Sequence, residues 1–180
     1  MERLKAYISI HIHTIDHLNL YYAILPYPLN KHSASMSELT FQELEPIKLP
    51  LIKSIYKAFY PSAKPKKTDT IIVGYLEHEI IAIVRFRPID NVNLLTGMLV
   101  IPKYRLSGVA QKLLQFCQSG YLTDSCYCFA YPHLKNFYLT AGFKVRKTED
   151  LPAPLQQLFS RYTSNGKNLL PMQYKYQDMA

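Results

Sequence analysis

The chain has 180 residues, 48% hydrophobic and 19% charged, which fits one globular domain with a sizeable core and excludes a disordered polar chain. Its formal net charge of +8 favours polyanionic partners such as a phosphorylated cofactor, nucleic acid or an anionic membrane surface. Cys117, Cys126 and Cys128 make an odd count with no CxxC pair; this argues against a disulfide framework or zinc site and for a reducing cytoplasm, and no apolar run reaches the roughly 18–20 residues of a membrane span.

The first 35 residues stand apart. They hold four of the six histidines (His11, His13, His17 and His32), two acids (Glu2 and Asp16), and a period-two pattern through Ile8, Ile10 and Ile12, which suggests an extended segment. Two readings are open: Met36 is the natural start and residues 1–35 are an upstream extension, or these residues form an N-terminal arm that adds a strand or covers a neighbour. His11 and His13 have the spacing of metal ligands, but no third ligand accompanies them and no metal is expected. Residues 36–180 form the main domain.

From Leu39 to Glu45 the pattern suits a short strand, although Thr40 with Glu43 also spells a helix capping box. Pro50 fits a first helical turn, and Leu51, Ile52, Ile55 and Phe59 place one apolar face on a helix over Leu51–Tyr60. Pro61 and Pro65 end it in a loop carrying Lys64, Lys66 and Lys67, which reads more readily as solvated than as a binding patch. Thr70–Leu76 and Ile80–Arg87 are β-rich runs joined at Glu77-His78-Glu79 as a hairpin, and Asn93–Ile101 is a third run. Gly108–Gln118 has helical spacing and Ser125–Tyr131 is strand-like. Pro132 starts a short helix that Gly142 terminates. Phe143–Arg146, Leu155–Tyr162 and Leu169–Tyr176 read as strand, helix and strand.

The informative junction runs from Val100 to Leu114. A strand stops at Pro102, a short basic loop follows, and Gly108 opens a helix. The first turn of a helix offers unbonded N–H groups and the positive end of the dipole, which phosphate oxygens can reach if no bulky side chain intervenes. Gly108 and Ala110 keep that surface open, and Arg105 adds a charged donor at its edge.

Arg105, Gly108 and Ala110, together with Phe137, Tyr138, Gly142 and Phe143, resemble the acyl-CoA loop (Gln/Arg-x-x-Gly-x-Gly/Ala) and the later aromatic-Tyr-x-x-x-Gly-Phe segment of the GNAT superfamily of N-acetyltransferases. The resemblance runs from about Leu39 to Tyr176 and implies an α/β (α+β) fold with a mixed, mainly antiparallel central sheet of six or seven strands flanked by about four helices. It implies an acetyltransferase domain over residues 36–180, with acetyl-CoA as cosubstrate. Backbone N–H groups of Leu106, Ser107, Gly108, Val109 and Ala110, with Arg105, would hold the pyrophosphate. Met98, Leu99 and Val100 would pair with the pantetheine arm through the main chain, and Tyr138 would protonate the departing thiolate; a core aromatic is the other reading of Tyr138. A main-chain N–H near Val100 would stabilise the oxyanion.

The sequence departs from the family at two points. Tyr131 stands where an Asn is common, and Asn93–Ile101 carries no acid where many members place a general base. Glu77, His78, Glu79 and His133 are weak substitutes. The leading function is acetylation of a primary amine, on a small molecule or a protein, by a monomer or homodimer that binds neither membrane nor nucleic acid. The alternatives are a non-catalytic acyl-CoA-binding regulator and an aminoacyl-tRNA acetyltransferase, the latter motivated by the net charge with Arg161, Lys167 and the Lys64–Lys67 cluster. The acceptor would be selected by Leu51–Lys67, Glu77–Glu79 and Leu151–Asn168.

Overall fold

Alternating apolar residues on two adjacent strands decide the layering. In Thr70–Leu76 (β2) and Glu79–Ile89 (β3), Ile72, Leu76, Val84 and Phe86 belong to one core and Ile71, Val73 and Ile83 to another. Period-two side chains point to opposite sheet faces, so both faces are covered. The structure, a computed structural model, describes residues 39–175; the Met36 start, the N-terminal arm and the His11/His13 pair lie outside the described residues.

Seven strands form one sheet in the order β1-β2-β3-β4-β5-β7-β6. The others are Leu39–Glu43 (β1), Val92–Val100 (β4), Cys126–Ala130 (β5), Phe143–Val145 (β6) and Leu170–Tyr174 (β7). Only the β4–β5 contact is parallel. The β2–β3 turn is tight: Leu76 pairs with Glu79, and Glu77 takes a left-handed φ of 54°. The strand reading of Leu39–Glu45 holds and the capping-box reading does not, because β1 pairs along its length with β2.

Four α-helices pack on this sheet among the described residues. Leu49–Phe59 (α1) buries Leu49, Ile52 and Tyr56 against Ile71, Val73, Ile83 and Leu99. It starts two residues before the predicted Leu51, with Pro50 seated in its first turn. Val109–Gln118 (α2) buries Val109, Leu113, Leu114 and Cys117 on the opposite face. Lys135–Thr140 (α3) follows a 3-10 turn at Pro132–Leu134, so the predicted helix begins as a tighter turn. Gly142 follows α3 at φ 88°, its N–H donating to Leu139 O at 3.1 Å, the stop that its sequence position suggested. Ala153–Ser164 (α4) buries Leu155, Leu158 and Phe159 against Leu94 and Tyr127.

Candidate functional site

The site begins where the sheet comes apart. β4 pairs with β5 only through Asn93–Leu95 against Cys126–Cys128; beyond that, Thr96–Val100 keeps its contact with β3 alone. A bulge accompanies the parting. The β3–β4 register shifts between Ile83 and Arg85, and opposite lies Gly97 at φ +63°. The Tyr56 hydroxyl donates to Gly97 O at 2.5 Å. A Cβ at Gly97 would stand 2.7 Å from Arg85 Nε and 2.8 Å from the Tyr56 hydroxyl oxygen, so glycine alone fits.

From the splayed end the chain runs through a 3-10 turn at Pro102–Tyr104 into α2. Leu106 and Gly108 both have positive φ, 61° and 78°, which turns the backbone sharply ahead of the helix. No side chain caps α2 and its first turn holds no acid, so its amides stay available to an anion. A Cβ on Gly108 would meet only Gln111 Oε1, at 3.8 Å; conformation, not crowding, requires the glycine.

A cavity of about 340 Å³ opens before this turn, bordered by Met98, Val100, Arg105, Leu106, Gly108, Val109 and Ala110. The structure therefore gathers seven of the nine expected coenzyme-binding residues. Leu99 does not border it: its side chain packs under α1, as strand alternation demands, and the expectation for it concerned the main chain. Ser107 does not border it either; its hydroxyl donates to Tyr104 O at 2.6 Å. Arg105 Nε donates to Val100 O at 3.0 Å, bracing the loop against β4.

Glu79 is not an idle hairpin charge. Its carboxylate accepts from Lys103 Nζ at 2.9 Å and from the Tyr104 hydroxyl at 2.8 Å, and these bonds hold it below the usual carboxylate range, Lys103 first. The Glu77–Glu79 turn thus anchors the loop leading to α2, and none of its three residues lines either of the two cavities at the site.

A second cavity, of about 310 Å³, lies on the α1/α4 side of the sheet and is bordered by Tyr60, Lys64, Arg85, Thr96, Tyr131 and Tyr162 among others. Met98 and Tyr138 border both cavities. Tyr138, on α3, is 5% exposed and held edge-on by Phe137 and Phe143, with ring centroids 5.1 and 5.5 Å away. Burial pushes its phenol well above the ordinary range, with Cys128, Tyr60 and Cys126 adding to it. Among the described residues no hydrogen bond engages its hydroxyl.

Tyr131 stacks on His133 with centroids 5.8 Å apart. Tyr131 borders the second cavity, whereas His133 borders the first. Lys64, Lys66 and Lys67 are exposed, as a solvated loop requires; Lys64 and Lys66, with Lys167, also border the second cavity, while Lys67 and Arg161 are not among its lining.

Sequence reasoning missed Arg85, Arg87 and Asp69. Arg85 and Arg87 also border the second cavity, and Arg85 pairs with Asp69, the two side chains 7% and 0% exposed. The available signal was two arginines, two residues apart, ending the apolar run of β3. Among the described residues no group of three or more His, Cys, Asp or Glu could hold a metal, and no helix is long and apolar enough to cross a membrane.

The family model of the acetyltransferase (GNAT) domain matches residues 67–145, which span β2 through β6 and include both cavities' shared residues. No curated protein matches the chain. Among solved structures, N-acetylglutamate synthase from Neisseria gonorrhoeae, complexed with coenzyme A and N-acetyl-glutamate, is similar at a TM-score of 0.61 and 11% identity, over 78% of this chain and 35% of that one; this chain therefore spans about a third of that enzyme. The Mycobacterium tuberculosis protein Rv2747, in complex with CoA, is similar at 0.56 and 12% identity, over 77% and 99%. The ribosomal-protein-S18-alanine N-acetyltransferase of Escherichia coli follows at 0.52 and 13%, over 79% and 98%. At these identities the structural likeness speaks for the fold.

Proposed function

We propose that this chain, whose residues 67–145 match the model of the acetyltransferase (GNAT) domain, transfers an acetyl group from acetyl-CoA to a primary amine by direct attack in a ternary complex. The observation that carries this is the pair of cavities meeting at Met98 and Tyr138. One borders the α2 N-terminus, where a pyrophosphate would sit, and the other would take the acceptor, so both reactants can be held at once.

In this reading the amides of Leu106–Ala110 and the Arg105 guanidinium bind the pyrophosphate. The main chain of Met98–Val100, which no strand pairs on its β5 side, holds the pantetheine arm. The amine attacks the thioester carbonyl, and an N–H near Val100 stabilises the charge that develops on its oxygen. Tyr138 donates its proton to the departing sulfur. Its place at the meeting of the two cavities supports the role; the burial that raises its pKa keeps the phenol protonated but weakens it as an acid. The acceptor is a small-molecule or protein amine, and three free, buried cysteines support a cytoplasmic setting.

The test is a panel of amines incubated with acetyl-CoA, with release of free thiol as readout. Tyr138→Phe should lower kcat by about 10²–10⁴ with little change in KM for acetyl-CoA. Unchanged turnover removes Tyr138 from the mechanism. The absence of an acid from β4 favours a second reading, a non-catalytic acyl-CoA-binding regulator; acetyl-CoA binding without turnover of any amine would establish it.

A further inference from the structure

The acceptor-side cavity is cationic from three directions. Lys64 and Lys66 come from the loop after α1, Arg85 and Arg87 from β3, and Lys167 from the turn after α4. No Asp or Glu borders it. Arg85 is offset by Asp69 behind it. The side chains of Lys64, Lys66, Arg87 and Lys167 form no ion pair among the described residues. Four positive charges therefore converge on one space without an internal counter-charge.

The side chains of Lys64 and Lys66 are exposed, but the backbone that carries them is fixed beside β3. Arg85 is 5% exposed. Its guanidinium is fixed by Asp69 and by Lys64 O at 3.2 Å, so the same arginine ties the lysine loop to β3. Lys66 N–H donates to the Asp69 carboxylate at 2.9 Å, tethering the loop a second time. Lys167 lies over the Tyr162 ring at 5.5 Å, which places its charge at the opposite rim. Holding like charges together in this way is unfavourable until an anion neutralises them.

We propose that the acceptor is a small amine that also carries anionic groups, carboxylate or phosphate, seated among Lys64, Lys66, Arg87 and Lys167. The amine end extends past Met98 and Tyr138 to the thioester. This rests on the acetyl-transfer reading above and names its substrate class. A cavity of about 310 Å³ matches a small molecule. A nucleic-acid acceptor needs a wider basic surface, and Lys67 and Arg161 do not extend this one.

The same charges address the missing base. A neighbouring positive charge disfavours the ammonium form of an amine and lowers its pKa. The bound acceptor therefore presents its neutral nucleophile without a carboxylate to deprotonate it. Nitrogen bonds to the acetyl carbon, the carbon–sulfur bond breaks, the sulfur takes a proton, and the new amide nitrogen releases one to water. The balance is amine plus acetyl thioester giving acetamide plus free thiol.

The experiment uses the full chain and matched pairs of amines: glutamate with its diamide, aspartate with its diamide, phosphoethanolamine with ethanolamine. Spermidine serves as the cationic control and an aminoacyl-tRNA as the polyanionic one. Thiol release is measured for each, and calorimetry with coenzyme A present measures binding of the same probes without turnover. The acidic member of each pair should exceed its neutral partner at least tenfold in kcat/KM, with spermidine poorest; the carboxylate and phosphate pairs separate the two anion sources. The Arg87→Glu/Lys167→Glu variant should erase most of that preference. The milder Arg87→Gln/Lys167→Gln pair, which covers a folding failure of the first, should also move the acid limb of the kcat–pH profile, which reports the bound complex, to higher pH, a shift that lost packing alone would not cause. Preference for spermidine or for neutral amines overturns the inference while leaving acetyl transfer intact. Turnover of aminoacyl-tRNA alone overturns it in favour of a polyanion. If acidic probes bind selectively and none is acetylated, the charge assignment stands and the transferase reading falls; if no acidic probe binds or reacts, the inference fails.

Discussion

The buried Tyr56 hydroxyl donates to the carbonyl of Gly97 at 2.5 Å, tying the middle of α1 to the bulge of β4, 41 residues along the chain. The bond sits at the point where β4 leaves β5. It therefore connects the packing of a helix to the opening of the site.

Tyr56→Phe keeps the ring and strands the Gly97 carbonyl in a buried setting, which costs about 1–3 kcal/mol. The melting temperature should fall by about 2–4 °C per kcal/mol. Gly97→Ala should be worse, because it adds both a positive-φ strain and a contact of 2.7 Å with Arg85 Nε. An unchanged melting temperature in Tyr56→Phe would remove this bond from the fold's support.

Asp69→Ala leaves the Arg85 guanidinium buried without its counter-ion, and breaking such a pair costs about 3–5 kcal/mol. Replacing both partners, as Asp69→Ala with Arg85→Met, should recover much of that loss in urea denaturation while impairing the acceptor side. Additive destabilisation in the double variant would argue against the pairing.

Gly108→Ala meets open space but not an allowed conformation, since φ is +78°. A strain of roughly 1–2 kcal/mol should appear as weaker acetyl-CoA binding, about tenfold in Kd, measured by calorimetry. Equal affinity would place the pyrophosphate elsewhere.

Burial pushes the Cys117 and Cys126 thiols up to about 12, and Cys128 well above the ordinary value. A thiol without thiolate does not react, so at pH 8 the native chain should resist a disulfide reagent and release its thiols only on unfolding. Thiol-release assays then carry little background. The raised folded-state values also set a sign. Stability is intact below the ordinary value of 9.0 and is lost as pH rises toward the folded values, because the unfolded chain ionises first. At pH 10 each of the two thiols costs about 1.4 kcal/mol, so urea midpoints should fall steeply between pH 9 and 11, which are bounds taken roughly one unit either side of that pH.

Most elements were legible because local pattern and tertiary need agree. Thr70–Leu76 matches its predicted bounds because an apolar strand buried on both faces announces itself, and Gly108 and Gly142 mark turns that only glycine takes comfortably. The charges were less legible. Arg85, Asp69 and Lys64 lie far enough apart in sequence that no spacing rule joins them; only the β3 register and the return of the loop after α1 do. Glu79 looked like a solvated turn residue because its partners, Lys103 and Tyr104, arrive from the next connection. The turn into α2 is a contiguous motif and reads as text, whereas the cavity on the α1/α4 side is assembled from six separate stretches between Tyr60 and Leu169.

The parting of β4 from β5 leaves a seam inside the sheet, with one run of main-chain groups that no strand covers. Under the proposed seating, the pantetheine arm acts as the absent strand, and acetyl-CoA is part of the architecture as much as a reactant. The unliganded protein should then exchange quickly those amides of Thr96–Val100 that point away from β3, associate through this internal edge as exposed strands do, and gain solubility and thermal stability when the cosubstrate is supplied during purification.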